Sequence, residues 1–226
     1  MEFCEQGSLA NHIGKLKSIE IKARLMLEIA QGLDYMHNTK SVVHRDLKPD
    51  NILIKDNSCK IADYGLSKNI KSYAQTKVGT PIYIAPELLL SDKYDFSVDI
   101  WSLGIIFIEI LTNKRIIEHI GISIAMELPC QREPFPTETI LNQIESTTFR
   151  RLVVAMLKKD PSKRINIAQV ITVIKSKFSN SGGGESKTGG NEKQELLENA
   201  AKLELLAQLM RGMAVKKSDV KEVPKP

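Results

Sequence analysis

A short, strongly polar segment, HRDLKPDN at 44–51, stands between two apolar flanks. Within it, Asp46, Lys48 and Asn51 place a carboxylate, an ammonium and an amide group close together in the chain. Such groups can hold a hydroxyl, an anion or a hard metal ion, provided that a rigid scaffold carries the loop. The alternative is a solvated turn in which Asp and Asn only cap the backbone. The segment by itself leaves both interpretations open.

The surrounding sequence predicts the elements that would carry this loop. NILI (51–54) and CKIAD (59–63) are short apolar runs separated by turn residues, so they predict a hairpin. Residues 63–84 have no sustained period and predict a long loop. Apolar residues at helical spacing predict helices at 19–38, 95–112, 147–159 and 166–178. The expected fold class is therefore mainly α with a small β-hairpin.

Composition excludes several classes of function. The chain has 226 residues with a net charge of +5, and its lysines and arginines are scattered, which disfavours a nucleic-acid surface. The longest apolar run, 100–111, carries a glutamate and is too short to span a bilayer, so no membrane span is expected. The N-terminus lacks the pattern of a signal peptide. Three widely spaced cysteines indicate reduced thiols, and the expected location is cytoplasmic or nuclear.

The composition changes abruptly after residue 178. SNSGGGESKTGG at 179–190 is typical of a flexible Gly/Ser-rich linker. Residues 191–212 are strong helix formers with one apolar face, and the last residues predict a disordered tail. The expected domains are therefore 1–178, the linker 179–190, and the amphipathic helix and tail at 191–226. This helix binds a partner, folds back on the chain, or is a solvated, partly helical tail.

Four further features give the polar loop its context. DYG (63–65), APE (85–87) and DIWSLG (99–104) follow HRDLKPDN in that order, and DPSKR ends at Arg164. Together these motifs resemble the eukaryotic protein kinase family, with Tyr64 in place of the usual Phe. The resemblance covers residues 1–178 and implies the large, C-terminal lobe of the kinase fold.

The resemblance implies a set of catalytic residues. Asp46 becomes the base that accepts the proton of the substrate hydroxyl, and Lys48 places a cation beside the transferred phosphate. Asn51 and Asp63 become the Mg²⁺ ligands, because carboxylate and amide oxygens suit that ion. The implied cofactors are ATP and Mg²⁺, and the implied partner is a protein substrate.

The resemblance also indicates the type of substrate. Lys48-Pro49 and GTPIYIAPE (79–87) look like the serine/threonine branch of the family. In that branch, Thr80 would contact Asp46 and Lys48 and help to set the preference for serine or threonine.

The same resemblance suggests regulation through the loop at 63–84. Arg45 directly precedes the expected base, and in kinases with an arginine there a phosphate on the activation loop often pairs with it. Thr76 matches the usual position and would be modified by an upstream activating kinase. Ser72 and Tyr73 are alternatives, and Thr76 as a plain exposed threonine also stays open.

Three other residues are expected to be structural. Glu87 resembles the family glutamate that pairs with a distant arginine, here Arg164. Asp99 would accept hydrogen bonds from the backbone of the catalytic loop. Trp101, the only tryptophan, is expected in the core.

The resemblance places the nucleotide against the N-terminal segment. MEFCEQGSL resembles the hinge between the two kinase lobes, with Met1 at the gatekeeper position, Glu2 and Cys4 beside the adenine, and Ser8 near the ribose. The floor of the adenine pocket is then formed by Leu53, with Ala62 beside it.

The sequence contains no GxGxxG segment, so the glycine-rich loop of the small lobe is absent from it. We therefore expect a truncated domain that starts at the hinge and is inactive alone, because losing even one preorganised donor costs ~10²–10³ in rate. The alternative is a pseudokinase-like protein without a small lobe that acts as a binding or docking module.

Overall fold

The computed structural model describes residues 4–56, 58–63, 81–90, 94–127 and 135–179. All of these belong to a compact unit at 1–181, and a second unit spans 182–226. The predictions for residues 180–226, including the helix at 191–212, therefore lie outside the described residues.

The described part of the chain is mainly helical and contains one antiparallel hairpin, which confirms the predicted secondary-structure class. No helix among the described residues is long and apolar enough to cross a membrane. The helices are α1 (Ile19–Asp34), α2 (Pro86–Leu90), α3 (Ser97–Thr112), α4 (Ile116–Glu127), α5 (Glu138–Leu141), α6 (Thr147–Met156) and α7 (Ile167–Ser179). The strands are β1 (Ile52–Lys55) and β2 (Ser58–Ile61).

Helix α1 forms where the apolar periodicity predicted it. Ser18 caps its N-terminus, because the side chain accepts a hydrogen bond from the amide of Ile21. The buried face includes Met26, Ile29 and Leu33, which have no exposed surface. The helix continues into a π-helical turn at Tyr35–Thr39, which accounts for the predicted end at residue 38.

The hairpin β1–β2 directly follows the polar loop. Ile52 pairs with Ile61 and Lys55 pairs with Ser58, so the register brings the start of β1 next to the end of β2. Ser8 forms an isolated bridge with Leu53, and the amide of Ile54 donates to the carbonyl of Gly7 at 2.8 Å. The N-terminal segment therefore lies against β1.

Helix α3 is the centre of the unit. All of its residues from Val98 to Leu111 are buried, as expected for a helix that is apolar on nearly every side. It packs against α1 and α6. The helix ends at Asn113 in the left-handed conformation, with φ of 56°. The Asn113 amide donates to the carbonyl of Leu16 at 2.7 Å, which ties the end of α3 to the segment before α1.

Three helices were not predicted from the sequence pattern. They are α2, α4 and α5, and each is short or interrupted. Helix α4 is broken at Gly121, whose φ of 74° and ψ of 159° are not helical, so its apolar period does not persist long enough to be recognised. Helix α6 also ends at Met156, before the predicted boundary at 159.

Candidate active site

The carboxylate of Asp46 is held by the two polar residues that follow it in the loop. Lys48 Nζ lies 3.2 Å from Oδ1 and 3.1 Å from Oδ2 of Asp46. The Asn51 amide donates to the Asp46 carbonyl at 2.8 Å and to Oδ2 at 3.1 Å. About a third of the Asp46 and Lys48 side chains is exposed, so both groups can meet a ligand from outside. The structure thus brings together three of the residues that the sequence singled out.

The backbone before Asp46 is held by hydrogen bonds to the side chain of Asp99 in α3. Oδ2 of Asp99 accepts from the amide of His44 at 2.8 Å, and Oδ1 accepts from the amide of Arg45 at 2.9 Å. These bonds hold Arg45 at φ of 70°, a conformation that costs energy for a residue with a side chain. Asp99 is fully buried, and the prediction that it binds the loop backbone is confirmed.

Two buried histidines complete this anchor, and the sequence reasoning had not assigned them a role. His37 Nε2 donates to Oδ2 of Asp99 at 2.8 Å, because an ionised carboxylate can only accept. His44 Nε2 donates to the carbonyl of Ala62 at 2.9 Å, while its Nδ1 faces the amide of Asp46 at 3.3 Å. This pattern fits neutral His44 with its proton on Nε2. The only sequence signal for His37 was its place at the end of the buried face of α1.

Asn51 and Asp63 stand at adjacent ends of the paired strands, Asn51 directly before β1 and Asp63 two residues after β2. The amide of Ala62 donates to the carbonyl of Asn51 at 2.9 Å, which fixes the end of β2 beside the polar loop. Asp63 follows directly, with an exposed carboxylate and φ of 60°. Among the described residues, no hydrogen bond occupies Oδ1 of Asn51. Carboxylate and amide oxygens of this kind are the donors that Mg²⁺ prefers, so the residues fit that ion.

The described part of the chain holds no cluster of three or more His, Cys, Asp or Glu residues arranged for a metal. The pair Asn51 and Asp63 contributes only one residue of these four types, so it does not form such a cluster. Asn51 and Asp63 would supply two oxygen ligands to such an ion.

The residues expected on the nucleotide side are partly described. Ser8 and Leu53 are paired across the bridge between the N-terminal segment and β1, and both are half-buried. Ala62 follows β2, and Cys4 accepts a hydrogen bond from the amide of Gly7 at 3.2 Å. Met1, Glu2, Thr76 and Thr80 lie outside the described residues.

The predicted ion pair between Glu87 and Arg164 is present and buried. Arg164 Nη1 lies 2.5 Å from Oε1 of Glu87, and Arg164 Nη2 lies 3.0 Å from Oε2 of Glu87, so the pair is bidentate. Arg164 also donates to the carbonyl of Ser97, and its guanidinium lies 5.4 Å from the ring centre of Trp101. Trp101 has no exposed surface, as predicted for a core residue.

A cavity of about 400 Å³ opens beside Asp46. Its walls come from the polar loop, the segment before α2, and the junction of α3 and α4. The lining residues are Arg45, Asp46, Leu47, Lys48, Asp50, Ile82, Tyr83, Ile84, Glu109, Arg115 and Ile117.

A largely buried polar network lies in the wall of this cavity. Glu109 Oε1 accepts from Arg115 Nε at 3.2 Å and from the Tyr83 hydroxyl at 2.9 Å. Burial raises the pKa of Glu109, and Arg115 opposes that shift. Burial, followed by the nearby Glu109 charge, raises the pKa of Tyr83, so the phenol stays protonated and donates. The one sequence signal for this network was an acidic residue inside the apolar run at 100–111.

Comparison with known proteins gives the same family throughout. The model of the protein kinase domain matches residues 1–174. The chain is 32% identical over 178 residues to an Aurora kinase of Debaryomyces hansenii, covering 76% of this chain and 42% of that protein. It is 33% identical over 175 residues to serine/threonine-protein kinase Nek6 of Oryza sativa subsp. japonica, covering 75% and 32%.

A third relative is mitogen-activated protein kinase kinase 3 of Arabidopsis thaliana, 34% identical over 178 residues, with 76% of this chain and 34% of that protein covered. The matched part thus spans about a third to two fifths of the length of these relatives.

Proposed function

The chain belongs to the protein kinase family, and on that premise we propose that it transfers the γ-phosphate of ATP to serine or threonine hydroxyls of protein substrates. The observation that carries this proposal is the fixed carboxylate of Asp46, which Lys48 and Asn51 contact and whose backbone Asp99 anchors. Phosphoryl transfer depends mostly on positioning and charge neutralisation, and this loop supplies both.

Each polar residue has a proposed role that its position supports. Asp46 accepts the proton of the incoming hydroxyl, and its partly exposed carboxylate can be reached by a substrate. Lys48, which contacts the Asp46 carboxylate, neutralises charge on the transferred phosphate. Asn51 and Asp63 would hold Mg²⁺, and that ion would supply further charge neutralisation at the phosphates. Thr80 is proposed to orient the hydroxyl of serine or threonine through Asp46.

The nucleotide is proposed to bind between the N-terminal segment and β1. Leu53 would form the floor beneath the adenine with Ala62 beside it, and the pairing of Ser8 with Leu53 supports a shared site. Met1, Glu2 and Cys4 would line the adenine edge, and Ser8 would contact the ribose. Thr76 is proposed as the site at which an upstream kinase adds an activating phosphate.

A binding or docking module is the second candidate function. No GxGxxG segment occurs in the 226 residues, so this polypeptide by itself supplies no such loop of backbone amides to the phosphates. We therefore expect the 226-residue polypeptide by itself to transfer phosphate slowly. A rate lower by ~10² or more is expected from the loss of preorganised donors.

Two measurements separate these functions. The first is Mg²⁺-dependent binding of a fluorescent ATP analogue, and the second is transfer of labelled phosphate to a serine/threonine peptide library. Both are made on the 226-residue polypeptide and on the protein isolated from its own cells. Asp46→Asn should lower transfer by ~10²–10⁴ while the nucleotide still binds. Asp63→Asn should weaken the Mg²⁺ dependence of nucleotide binding.

Asp56→Asn is the matched control, because Asp56 is an exposed residue of the hairpin turn. It should leave both measurements unchanged. Absence of transfer in both preparations, with protein partners still bound, would favour the docking module over the enzyme.

A further inference from the structure

The cavity beside Asp46 contains a guanidinium group that the proposed chemistry does not use. Arg115 lies between α3 and α4 and lines the cavity together with Asp46 and Lys48. Its side chain is 29% exposed, so it is neither sealed in the core nor free in solvent. Arg115 and Asp46 line the same cavity, so a peptide bound there with its hydroxyl at Asp46 would pass beside the guanidinium.

Glu109 cannot serve as a site for a substrate cation. Its side chain is fully buried, and both oxygens already accept hydrogen bonds. Oε1 accepts from the amide of Ile116 at 2.8 Å as well as from Arg115, and both oxygens accept from the Tyr83 hydroxyl. A basic side chain would have to displace these partners to reach it.

Arg115, in contrast, keeps donors available. Nε is used by Glu109, and Nη2 donates to the Tyr83 hydroxyl at 3.1 Å. Nη2 lies 3.6 Å from Oδ2 of Asp50, which is beyond hydrogen-bond distance. Nη1 has no partner among the described residues. The Asp50 side chain is 56% exposed and can turn away into solvent.

We propose that Arg115 is a specificity-determining residue that binds an anionic side chain of the protein substrate, a carboxylate or a phosphate, close to the phosphoacceptor. The proposal rests on the proposed kinase function, because it places the acceptor at Asp46. Arginine suits this task, since its planar fork of donors matches carboxylate and phosphate oxygens. The pairing with Glu109 and Tyr83 holds the fork in a fixed orientation.

Charge count alone does not decide the preference. The cavity is lined by three cations, Arg45, Lys48 and Arg115, and by Asp46, Asp50 and Glu109. Lys48 faces Asp46, and Glu109 is saturated, so the unsatisfied donors of Arg115 are opposed chiefly by Asp50. Asp50 therefore competes with the substrate anion for Arg115. A substitution of Asp50 provides a second test of the proposal.

The test measures peptide binding by fluorescence anisotropy on the 226-residue polypeptide. All labelled peptides share one framework with a single acceptor serine. For each position flanking that serine, four peptides are made, which carry aspartate, phosphoserine, alanine or arginine at that position. At one or more positions, the aspartate or phosphoserine peptide should bind about tenfold more tightly than the alanine peptide. The aspartate and phosphoserine arms distinguish a carboxylate from a phosphate as the anion.

Three variants assign that preference to Arg115. Arg115→Gln should abolish it, and Arg115→Lys should reduce it, because the charge remains but the fork is lost. Asp50→Asn should increase it by removing the competing carboxylate. The matched control is Lys114→Gln, which removes a neighbouring cation that contacts Gln143, and it should leave the preference unchanged. Glu109→Gln combined with Arg115→Gln tests the same loss without leaving a buried carboxylate short of a partner.

The proposal is overturned if arginine peptides bind best and Asp50→Asn removes that preference, or if all four peptides bind alike. Phosphate transfer to the same peptides is measured separately. An anion preference that depends on Arg115, with no transfer by the protein isolated from its own cells, would contradict the proposed kinase function and leave the binding site supported. Transfer without an Arg115-dependent preference would do the reverse.

Discussion

At the scale of single residues, one buried carboxylate holds the backbone of the polar loop in place. Asp99 binds two consecutive backbone amides of the loop and one imidazole, and it has no exposed surface. The cost of burying this charge is offset only because its oxygens accept three charge-assisted hydrogen bonds. The position of Asp46 therefore depends on a residue more than fifty positions away in the sequence.

Replacing Asp99 by Asn should destabilise the unit by ~2–4 kcal/mol, because the new NH₂ group would face an amide donor in the loop. Urea unfolding followed by tryptophan fluorescence measures the change, since the single Trp101 is buried in the same helix. Asp56→Asn, at an exposed turn, is the control and should stay within about 0.5 kcal/mol of the parent. Equal stability of the two variants would show that the anchor is dispensable.

Cys59 supplies a second prediction at this scale. Burial raises the pKa of its thiol to about 12, and the nearby Glu28 charge adds to the shift. Since the thiolate is the reactive form, iodoacetamide at pH 8 should modify Cys59 at least about 100-fold more slowly in the folded chain than in urea. Peptide mass mapping of timed samples gives both rates.

The sign of the linkage follows from that raised pKa. The contribution of Cys59 to stability should be complete below pH 9 and decline as the pH rises from there toward 12. Equal alkylation rates in the folded and unfolded chain would contradict the assignment of a buried, protonated thiol.

At the scale of elements, the close contact between α3 and α6 depends on one glycine. A Cβ built on Gly104 would lie 3.0 Å from Cδ2 and Cγ of Leu157 and 3.1 Å from Cβ of Met156. Alanine would have a greater helix propensity at this position of α3, but glycine allows α6 to approach closely. This is a packing reason for the glycine in the DIWSLG motif.

Gly104→Ala should destabilise the unit by ~1–3 kcal/mol, because Leu157 and Met156 are core residues with little room to move. The opposite sign, a gain of up to ~1 kcal/mol, is what helix propensity alone would give. Gly32→Ala in α1 is the comparison, since its Cβ would meet only the end of the Ile61 side chain, at 3.2 Å. Thermal unfolding of the two variants side by side decides between packing and propensity.

At the scale of the whole unit, the first and last described helices close the core together. Helix α7 packs against α1, and Val170 and Ile174 of α7 have no exposed surface. The core is one continuous cluster that runs from Leu9 to Ile174. Its stability should therefore depend on contacts between residues that are very distant in sequence.

Ile174→Ala should lower the free energy of unfolding by ~2–5 kcal/mol through lost burial and the cavity left behind. Fluorescence from Trp101 and far-ultraviolet circular dichroism should report the same single transition, because α7 shares its core with α3. Thr172→Ala, at an exposed position of the same helix, should change little. A separate early transition for helix loss would contradict a shared core.

Much of the fold followed from local sequence. Helices α1 and α3 and the hairpin were predicted because their apolar periods persist and turn residues bound them. Helices α2, α4 and α5 were missed because they are too short or too interrupted for a period to register. The residues of the polar loop were recognised from their motif, but the motif does not record distances. The roles assigned to Asp46, Lys48, Asn51 and Asp63 remain predictions.

By itself, the sequence determined the family and the order of the motifs, because residue types and spacing along the chain carry that information directly. It also determined the hairpin, since strand period and turn residues are local. The family resemblance predicted that Asp99 binds the backbone of the polar loop, but the tertiary structure alone showed that His37 and His44 complete this anchor. It alone brought Tyr83, Glu109 and Arg115 to one cavity beside Asp46. The physical reason is that burial and hydrogen bonding between distant residues arise only when helices pack, so no local pattern encodes them.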